Sequence, residues 1–255
     1  MKNITDEKGT TYYEDIGRGI PILFIHPPGM GRKVFEYQKP LANSYRILLP
    51  DLSGHGDSVG ELKGSIIQTY IDEIKLILNK ENIEEVVLVG YSAGGSIAQA
   101  FALAHPSKTK ALILSGGYPK VDTTILTAEY QIGMSMLKRS PRLLAQIISG
   151  SHAKSKSFKF VLYHHMMKSS LRHWYQFYVE TFRYNCVKQL PYFTMPLLLI
   201  YGSNEFWIKN YKSYYKRCSN YHMGLIPGTS HQVPTKKATA FNDIISHYLS
   251  HQLKI

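Results

Sequence analysis

The chain has 255 residues, of which 44% are hydrophobic and 19% are charged, so it can bury one sizeable core and is not a disordered chain. Its two cysteines, Cys186 and Cys218, exclude a disulfide framework, and no stretch reaches the roughly 18 apolar residues of a transmembrane helix. The N-terminus has no apolar run that could serve as a signal peptide, so we expect a cytoplasmic protein.

Short apolar runs recur along the chain and are typical of strands buried on both faces of a parallel sheet. The first twenty residues predict an antiparallel hairpin around Glu7-Lys8-Gly9. The later strand candidates are Ile20–Ile25, Tyr45–Leu49, Glu85–Val89, Lys110–Leu114, Pro196–Tyr201 and Met223–Ile226. The helix candidates between and after them are Val34–Asn43, Ser65–Asn79, Ala93–Ala104, Phe206–Arg217 and Lys236–Leu249. This alternation predicts an α/β fold with a mostly parallel, doubly wound sheet.

Residues 120–190 interrupt the alternation, and we call them the helical insertion. They contain no convincing strand, and helix breaks are predicted at Ser140-Pro141 and at Ser149-Gly150-Ser151. We expect a lid, inserted between late strands of a single domain that spans residues 1–255. Residues 121–190 hold ten Lys/Arg against three Asp/Glu, which is seven of the net charge of +12. This excess indicates either a solvated helix surface or an attraction for anionic substrates, and no nucleic-acid-binding signature accompanies it.

The strongest motif is Gly90-Tyr91-Ser92-Ala93-Gly94, which has the form G-x-S-x-G. It lies between a strand candidate and a helix candidate, as a nucleophile elbow requires. Ser92 would occupy a sharp, strained turn, and glycines on either side would permit close backbone approach. The helix that follows would direct the Ala93 amide towards a developing oxyanion. The motif therefore predicts Ser92 as a nucleophile.

A serine nucleophile needs a base and an acid. Of the eleven histidines, His231 follows the last strand candidate, at the sheet edge where catalytic groups gather. The histidines of the insertion are candidates for substrate contacts instead: His152, His164, His165 and His173. The acid should lie between Ser92 and His231 in the chain. Glu205 and Asp122 each follow a strand candidate, and Glu205 is favoured.

With these residues the chain resembles the α/β-hydrolase superfamily along nearly its whole length. Four segments match the family's loops in order and spacing. They are His26-Pro27-Pro28-Gly29, Asp51-Leu52-Ser53-Gly54-His55-Gly56-Asp57-Ser58, Gly202-Ser203-Asn204-Glu205 and Gly228-Thr229-Ser230-His231. The resemblance implies an α/β-hydrolase fold of the serine-nucleophile, esterase/lipase-like branch. We expect His26 and His55 to shape their loops rather than to catalyse.

The chain departs from the family at two positions. Glu205 stands where the family more often has Asp, although members with Glu exist. The second oxyanion donor is usually the amide two residues after the loop histidine, and here Pro28 has no N–H. The donor would then be the amide of Gly29 or of Met30, as in the similar loop of type II thioesterases, and Gly29 is favoured.

These features predict a serine hydrolase that acts on a carboxylic ester, thioester or lactone. The alternative is a protein of the same fold that binds a small molecule and signals with slow or no turnover. Five residues are candidate substrate contacts: Pro28, Tyr91, Met134, Met166 and Trp174. The sequence has no metal-ligand cluster and no dinucleotide fingerprint, so no metal and no cofactor are expected. The partner is expected to be a small acyl substrate, with the basic insertion favouring an anionic one.

Overall fold

A single sheet organises the chain in the computed structural model, which describes residues 1–205 and 208–253. Its strands are β1 (Lys2–Asp6), β2 (Gly9–Ile16), β3 (Pro21–Ile25), β4 (Arg46–Pro50), β5 (Val59–Gly60), β6 (Val86–Tyr91), β7 (Thr109–Ser115), β8 (Leu197–Gly202) and β9 (Tyr221–Ile226). The order across the sheet is β1-β2-β4-β3-β6-β7-β8-β9, with β5 paired to β2. In this order, every neighbouring pair from β4 to β9 is parallel, whereas β1 and β2 form the antiparallel hairpin. The predicted mostly parallel α/β fold is confirmed.

Helices cover both faces of this sheet. They are α1 (Ile66–Lys80), α2 (Gly94–Ala104), α3 (Thr124–Arg139), α4 (Pro141–His152), α5 (Lys156–Met166), α6 (Leu171–Arg183), α7 (Ile208–Tyr215), α8 (Val233–Lys236) and α9 (Ala238–His247). Side chains alternate along a strand, so Leu88 of β6 packs on one face of the sheet, in an apolar cluster with Phe101 of α2. Its neighbour Val87 packs on the other face, in a second apolar cluster with Phe241 of α9. Within the described residues no helix has both the length and the apolarity to cross a bilayer.

Several element boundaries differ from the predictions. The segment Arg32–Asn43 consists of 3-10 turns rather than an α-helix, because Pro40 lacks an N–H and Phe35 leaves helical φ/ψ. The last predicted helix is divided into α8 and α9, and a π-helical turn, Tyr248–Gln252, follows it. The first two residues of the predicted helix Phe206–Arg217 lie outside the described residues. The two-residue strand β5 was not predicted.

The helical insertion contains four helices, α3 to α6, between β7 and β8. The break predicted at Ser140-Pro141 separates α3 from α4, because a proline at the first helical position starts a new helix. The break predicted at Ser149-Gly150-Ser151 is wrong, since these residues lie inside α4 and the chain turns only after His152. The insertion leaves and rejoins the sheet at one point, where Lys120 bridges Asn185 and the Cys186 amide donates to the Pro119 carbonyl at 2.9 Å.

Two carboxylates attach the insertion to the rest of the molecule. Glu180 of α6 accepts hydrogen bonds from the Ser65 hydroxyl (2.6 Å) and the Ile66 amide (2.8 Å) at the start of α1. Asp51, after β4, lies 2.9 Å from Nε2 of His165 on α5 and also contacts the guanidinium of Arg32. Although burial alone would raise the pKa of Asp51, the hydrogen bond and charge of His165 and the charge of Arg32 lower it. These pairs fix the position of the insertion on the sheet edge.

The carboxylate Asp57 completes a cluster with Asp51 and His165, in which the polar atoms are close enough for a metal ion. The guanidinium of Arg32 contacts both carboxylates, with its Nη2 2.7 Å from Asp57. The cation that these carboxylates need is therefore supplied by the chain itself.

Candidate active site

Ser92 lies in a strained turn between β6 and α2. Its φ is +53°, a region that few residues other than glycine adopt. The turn is held by the Ser92 amide, which donates to the Ser115 carbonyl, and by the Gly95 amide, which donates to the Ser92 carbonyl, both at 2.8 Å. Such strain costs on the order of 1–3 kcal/mol and persists where the surrounding structure enforces it. The turn presents the hydroxyl of Ser92 at the carboxyl edge of the sheet.

Three loops at this edge bring Ser92, His231 and Glu205 together. The Ser92 hydroxyl lies 2.7 Å from Nε2 of His231, and Nδ1 of His231 lies 2.6 Å from Oε1 of Glu205. A carboxylate accepts only, so Nδ1 carries the proton and Nε2 is left to accept the Ser92 hydroxyl. Asp122, the rival acid, instead accepts from the Tyr214 hydroxyl at 2.6 Å and pairs with Lys120. The geometry therefore favours Glu205.

The environment of His231 keeps the imidazole basic. Burial lowers the pKa of His231, but the charge and hydrogen bond of Glu205 outweigh this effect. The pKa of His231 therefore lies above its ordinary value of 6.5. A base with such a pKa can take a proton from a hydroxyl near neutral pH.

The two predicted oxyanion donors lie in the elbow and in the loop after β3. Ala93 immediately precedes α2, so its amide belongs to the positive end of that helix. In the loop after β3, the Met30 amide donates to the Pro27 carbonyl at 3.3 Å. Gly29 has a φ of +79°, as the third residue of a type II turn requires. Within the described residues, neither the Ala93 amide nor the Gly29 amide donates a hydrogen bond.

A cavity of about 320 Å³ opens in front of Ser92. Its walls come from the oxyanion loop, the elbow and the helical insertion. The described residues that line it are Pro27, Pro28, Met30, Tyr91, Ser92, Ala93, Tyr118, Leu126, Glu129, Tyr130, Ile132, Gly133, Met136, Leu144, Ile147, Ile148, Ser151, His152, Tyr178, His231 and Gln232. Most are apolar or aromatic, which suits the organic part of a small substrate.

Only two of the five predicted substrate contacts, Pro28 and Tyr91, line this cavity. The prediction for the other three is corrected. Met166 and Trp174 are buried in the apolar cluster on one face of the sheet, and Met134 packs against the other cluster. The Trp174 ring fills the space beside Gly29, where a side-chain carbon would lie 2.1 Å from it. These three residues therefore belong to the packed core, and Trp174 packs against the oxyanion loop.

A hydrogen bond between the elbow and the insertion was not predicted. The Tyr91 hydroxyl donates to Nε2 of His152 at 2.8 Å, and Nδ1 of His152 donates to the Ile148 carbonyl at 2.8 Å. Burial lowers the pKa of His152 to about 4, so the ring is neutral and can accept. The ring of Tyr91 also lies beside that of His231, with 5.4 Å between centroids. His152 thus contacts the residue that packs on the proposed base.

The charge inside the cavity is opposite to that of the insertion as a whole. Among the described lining residues Glu129 is the only Asp, Glu, Lys or Arg. Burial raises the pKa of Glu129, although the nearby His231 lowers it in part. The predicted preference for an anionic acyl group rested on the basic residues of the insertion, and none of these lines the cavity. The lining of the cavity therefore gives that expectation no support.

The loop histidines His26 and His55 have structural partners. His26 accepts from the Leu52 amide at 3.0 Å through Nε2, and Nδ1 lies 2.9 Å from the Pro27 carbonyl. His55 lies 3.2 Å from the hydroxyl of Tyr70. Burial lowers the pKa of both rings, so both are neutral. They shape the loops that flank the cavity, as expected from their positions.

Comparison with known proteins assigns the family. Residues 20–233 match the family model described as alpha/beta hydrolase fold. The chain is 34% identical to the AB hydrolase superfamily protein YisY of Bacillus subtilis over 119 residues, which are 45% of this chain and 44% of YisY. It is 35% identical to the pimeloyl-[acyl-carrier protein] methyl ester esterase of Aeromonas hydrophila over 109 residues, 42% of this chain and 41% of that enzyme. The matched segments thus span less than half the length of these relatives.

A solved structure agrees over more of the chain. The esterase EaEST from Exiguobacterium antarcticum superposes with a TM-score of 0.85, with 94% of this chain and 95% of that one covered. The sequence identity is 20%, so this likeness concerns the fold.

Proposed function

The chain belongs to the alpha/beta hydrolase family, and from this premise we propose that it is a serine hydrolase acting on a carboxylic ester, thioester or lactone. One observation carries the proposal: the hydroxyl of Ser92, the imidazole of His231 and the carboxylate of Glu205 form a continuous hydrogen-bonded chain. Ser92, at one end of these hydrogen bonds, lines the cavity. Ser92 is then the nucleophile, His231 the base and Glu205 the acid that orients the base.

In the acylation half-reaction, Ser92 Oγ attacks the acyl carbonyl carbon while Nε2 of His231 takes the hydroxyl proton. The carbonyl oxygen becomes an oxyanion, which the amides of Ala93 and Gly29 stabilise. One such donor is worth about 3–4 kcal/mol in known enzymes. The tetrahedral intermediate collapses when the bond to the leaving oxygen or sulfur breaks and His231 returns the proton to that atom. The product is an acyl ester of Ser92.

In the deacylation half-reaction, a water molecule takes the place of the departed group. His231 removes a proton from the water as its oxygen attacks the acyl carbon. The same two amides hold the second oxyanion. The bond from carbon to Ser92 Oγ then breaks, the proton returns to Oγ, and the carboxylic acid leaves. The carboxylate of Glu205 stabilises the imidazolium that forms twice in the cycle.

The lining of the cavity favours an acyl group without negative charge. Leu126, Met136 and Leu144 provide apolar walls, and Glu129 would repel a carboxylate. A volume of about 320 Å³ suits a short or medium acyl chain. We therefore propose small acyl esters or thioesters of neutral or cationic acids as the substrate class.

The proposal is tested by labelling with a fluorophosphonate probe, which reacts with activated serines. We expect the wild type and Ser96→Ala to be labelled and Ser92→Ala to be unlabelled. Ser96 is a matched control because it is a buried serine in α2 that does not line the cavity. With p-nitrophenyl butyrate, Ser92→Ala should lose about three to six orders of magnitude in kcat. A folded wild type that neither reacts with the probe nor turns over any ester would contradict the proposed function.

A further inference from the structure

The charge on the cavity wall points to a more specific substrate. Residues 121–190 carry seven more basic than acidic side chains. Among the described residues that line the cavity, however, Glu129 is the one Asp, Glu, Lys or Arg. Within the described residues Glu129 has no hydrogen bond and no ion pair. Glu129 is an exposed residue at the edge of the cavity, and partial desolvation raises the pKa of its carboxyl while the charge of His231 lowers it in part.

Aromatic residues of the same cavity supply a second, independent feature. Tyr118, Tyr130 and Tyr178 line the same cavity, and their rings pack edge to face in a row. The centroid distances are 6.4 Å from Tyr118 to Tyr130 and 5.7 Å from Tyr130 to Tyr178. The hydroxyls of Tyr118 and Tyr130 are 2.6 Å apart, and Tyr130 donates to Thr181 at 3.1 Å. These bonds fix the two rings within the wall.

A carboxylate beside tyrosine rings has the chemistry of an organic-cation site. The face of an aromatic ring attracts cations, and rings that surround a quaternary ammonium group are a recurring means of binding it. A carboxylate adds Coulomb attraction, which is stronger in a cavity than in bulk water. A hard metal ion would need several oxygen ligands, whereas Glu129 is the one carboxylate among the described lining residues.

We propose that the insertion side of the cavity, formed by Glu129, Tyr130 and Tyr178, binds an organic ammonium group carried by the acyl part of the substrate. The inference rests on the proposed function, because it assigns the acyl group to the cavity in front of Ser92. It makes Glu129 a residue that determines specificity rather than one that takes part in the chemistry.

Two esters that differ in one atom test the proposal. One is p-nitrophenyl 4-(trimethylammonio)butanoate, and the other is p-nitrophenyl 5,5-dimethylhexanoate, in which carbon replaces nitrogen. The leaving group and the shape are the same, and division by the rates of alkaline hydrolysis removes the difference in intrinsic reactivity. We expect the wild type to favour the cationic ester in kcat/KM by about tenfold, the size typical of a cation–π contact with a partly shielded ion pair.

Variants identify the groups that produce this preference. Glu129→Gln should remove most of it by lowering kcat/KM for the cationic ester about tenfold, with the neutral ester changed less than about twofold. Tyr178→Leu should reduce the preference, whereas Tyr178→Phe should retain it because the ring remains. Asp122→Asn removes the same charge from a carboxylate that does not line the cavity, and should leave the preference intact. An equal effect of Glu129→Gln on both esters would overturn the proposal, as would a wild type that prefers the neutral ester.

A binding measurement separates this inference from the proposed function. In the Ser92→Ala variant, calorimetry with pentyltrimethylammonium should detect binding that Glu129→Gln weakens about tenfold on the same background. If pentyltrimethylammonium binds but the wild type hydrolyses neither ester, the proposed function is contradicted and the cation site is supported. Hydrolysis of the neutral ester, with no binding of the cation by Ser92→Ala, would remove the cation site and retain the hydrolase.

Discussion

At the scale of single residues, the proposed chemistry depends on three side chains, and the sequence predicted their roles to different degrees. Ser92 could be predicted because its motif requires a strand before it and a helix after it, and both are readable as patterns. His231 follows from chain order and from the sheet edge. The choice between Glu205 and Asp122 needed distances, since both follow strands. Only Glu205 reaches Nδ1 of His231, at 2.6 Å.

The pH dependence of turnover should report the ionisation of His231. The base works only when it is unprotonated, and Glu205 raises the pKa of His231 above 6.5. We therefore expect kcat/KM to fall tenfold per pH unit on the acid side of that pKa. Glu205→Gln removes the charge and leaves burial, which lowers the pKa of His231, so the acid limb should move to lower pH. An acid limb that stays in place in Glu205→Gln would contradict this assignment.

The catalytic contribution of Glu205 itself can be measured by replacing its carboxylate. Glu205→Gln should lower kcat by about 10⁴-fold, the loss seen when the acid of a serine triad becomes an amide. Glu205→Asp keeps the charge but withdraws it by one methylene, so we expect a smaller loss. Asp122→Asn serves as the control and should retain wild-type kcat with a neutral ester. A loss in Asp122→Asn as large as that in Glu205→Gln would indicate that the acid was misassigned.

The lining of the cavity was less predictable than the triad. Their size and apolar character predict Met134, Met166 and Trp174 as lining residues, but residue type does not tell which helix face meets the cavity. One spacing did carry that information: Leu126, Tyr130 and Gly133 recur at helical intervals and line the cavity together. Glu129, next to Tyr130 in this series, could have been found from the same pattern. His152, a candidate substrate contact from the sequence, does line the cavity, but its hydrogen bond to Tyr91 could not be predicted because the two residues are 61 positions apart.

At the scale of elements, the elbow depends on the close approach of α2 to the end of β3. A side-chain carbon on Gly94 would lie 2.3 Å from the Ile25 carbonyl oxygen, whereas one on Gly95 would be 3.4 Å from the Leu114 side chain. Gly94→Ala must therefore displace the backbone that leads into the oxyanion loop. We expect it to destabilise the protein by about 1–3 kcal/mol and to lower kcat more than it changes KM.

The matched control for this prediction is Gly95→Ala, because an added carbon there makes only ordinary contact and alanine favours a helix. Its unfolding midpoint in urea and its kcat should be close to those of the wild type. Equal tolerance of both substitutions would show that the approach of α2 to β3 does not limit the elbow.

The elements of the sheet were predicted better than those of the insertion, for a physical reason. Strands buried on both faces are short apolar runs, and β6 and β8 are buried along their entire length. In the insertion, Gly150 was interpreted as a helix break. It lies inside α4 because packing of Leu144 and Ala145 into the core outweighs the roughly 1 kcal/mol that a helical glycine costs.

At the scale of the whole molecule, one buried carboxylate should make stability depend on pH. Glu73 of α1 accepts from the Ser53 amide at 3.0 Å, and burial raises the pKa of Glu73 from 4.5 to about 7. The folded state therefore retains a proton that the unfolded state loses above pH 4.5. Glu73 lowers stability increasingly from pH 4.5 to about 7, and by a constant amount above that.

Glu73→Gln keeps an acceptor for the Ser53 amide but cannot ionise. We expect it to raise the free energy of unfolding by up to about 3 kcal/mol at pH 8, with most of this gain absent at pH 5. Urea unfolding at the two pH values measures the difference. A variant that is destabilised equally at both pH values would show that Glu73 is held as the ionised form by interactions stronger than its burial.

The two ends of the insertion lie side by side. Lys120 forms a β-bridge with Asn185, and the Cys186 amide donates to the Pro119 carbonyl. Because these ends are adjacent, another helical unit could be grafted between them without altering the register of β7 or β8. The proposed nucleophile, base and acid all lie outside the exchanged stretch. Exchange of this segment would thus change the lining of the cavity, provided that the new unit supplies its own partner for Asp51 and its own side chain beside Gly29.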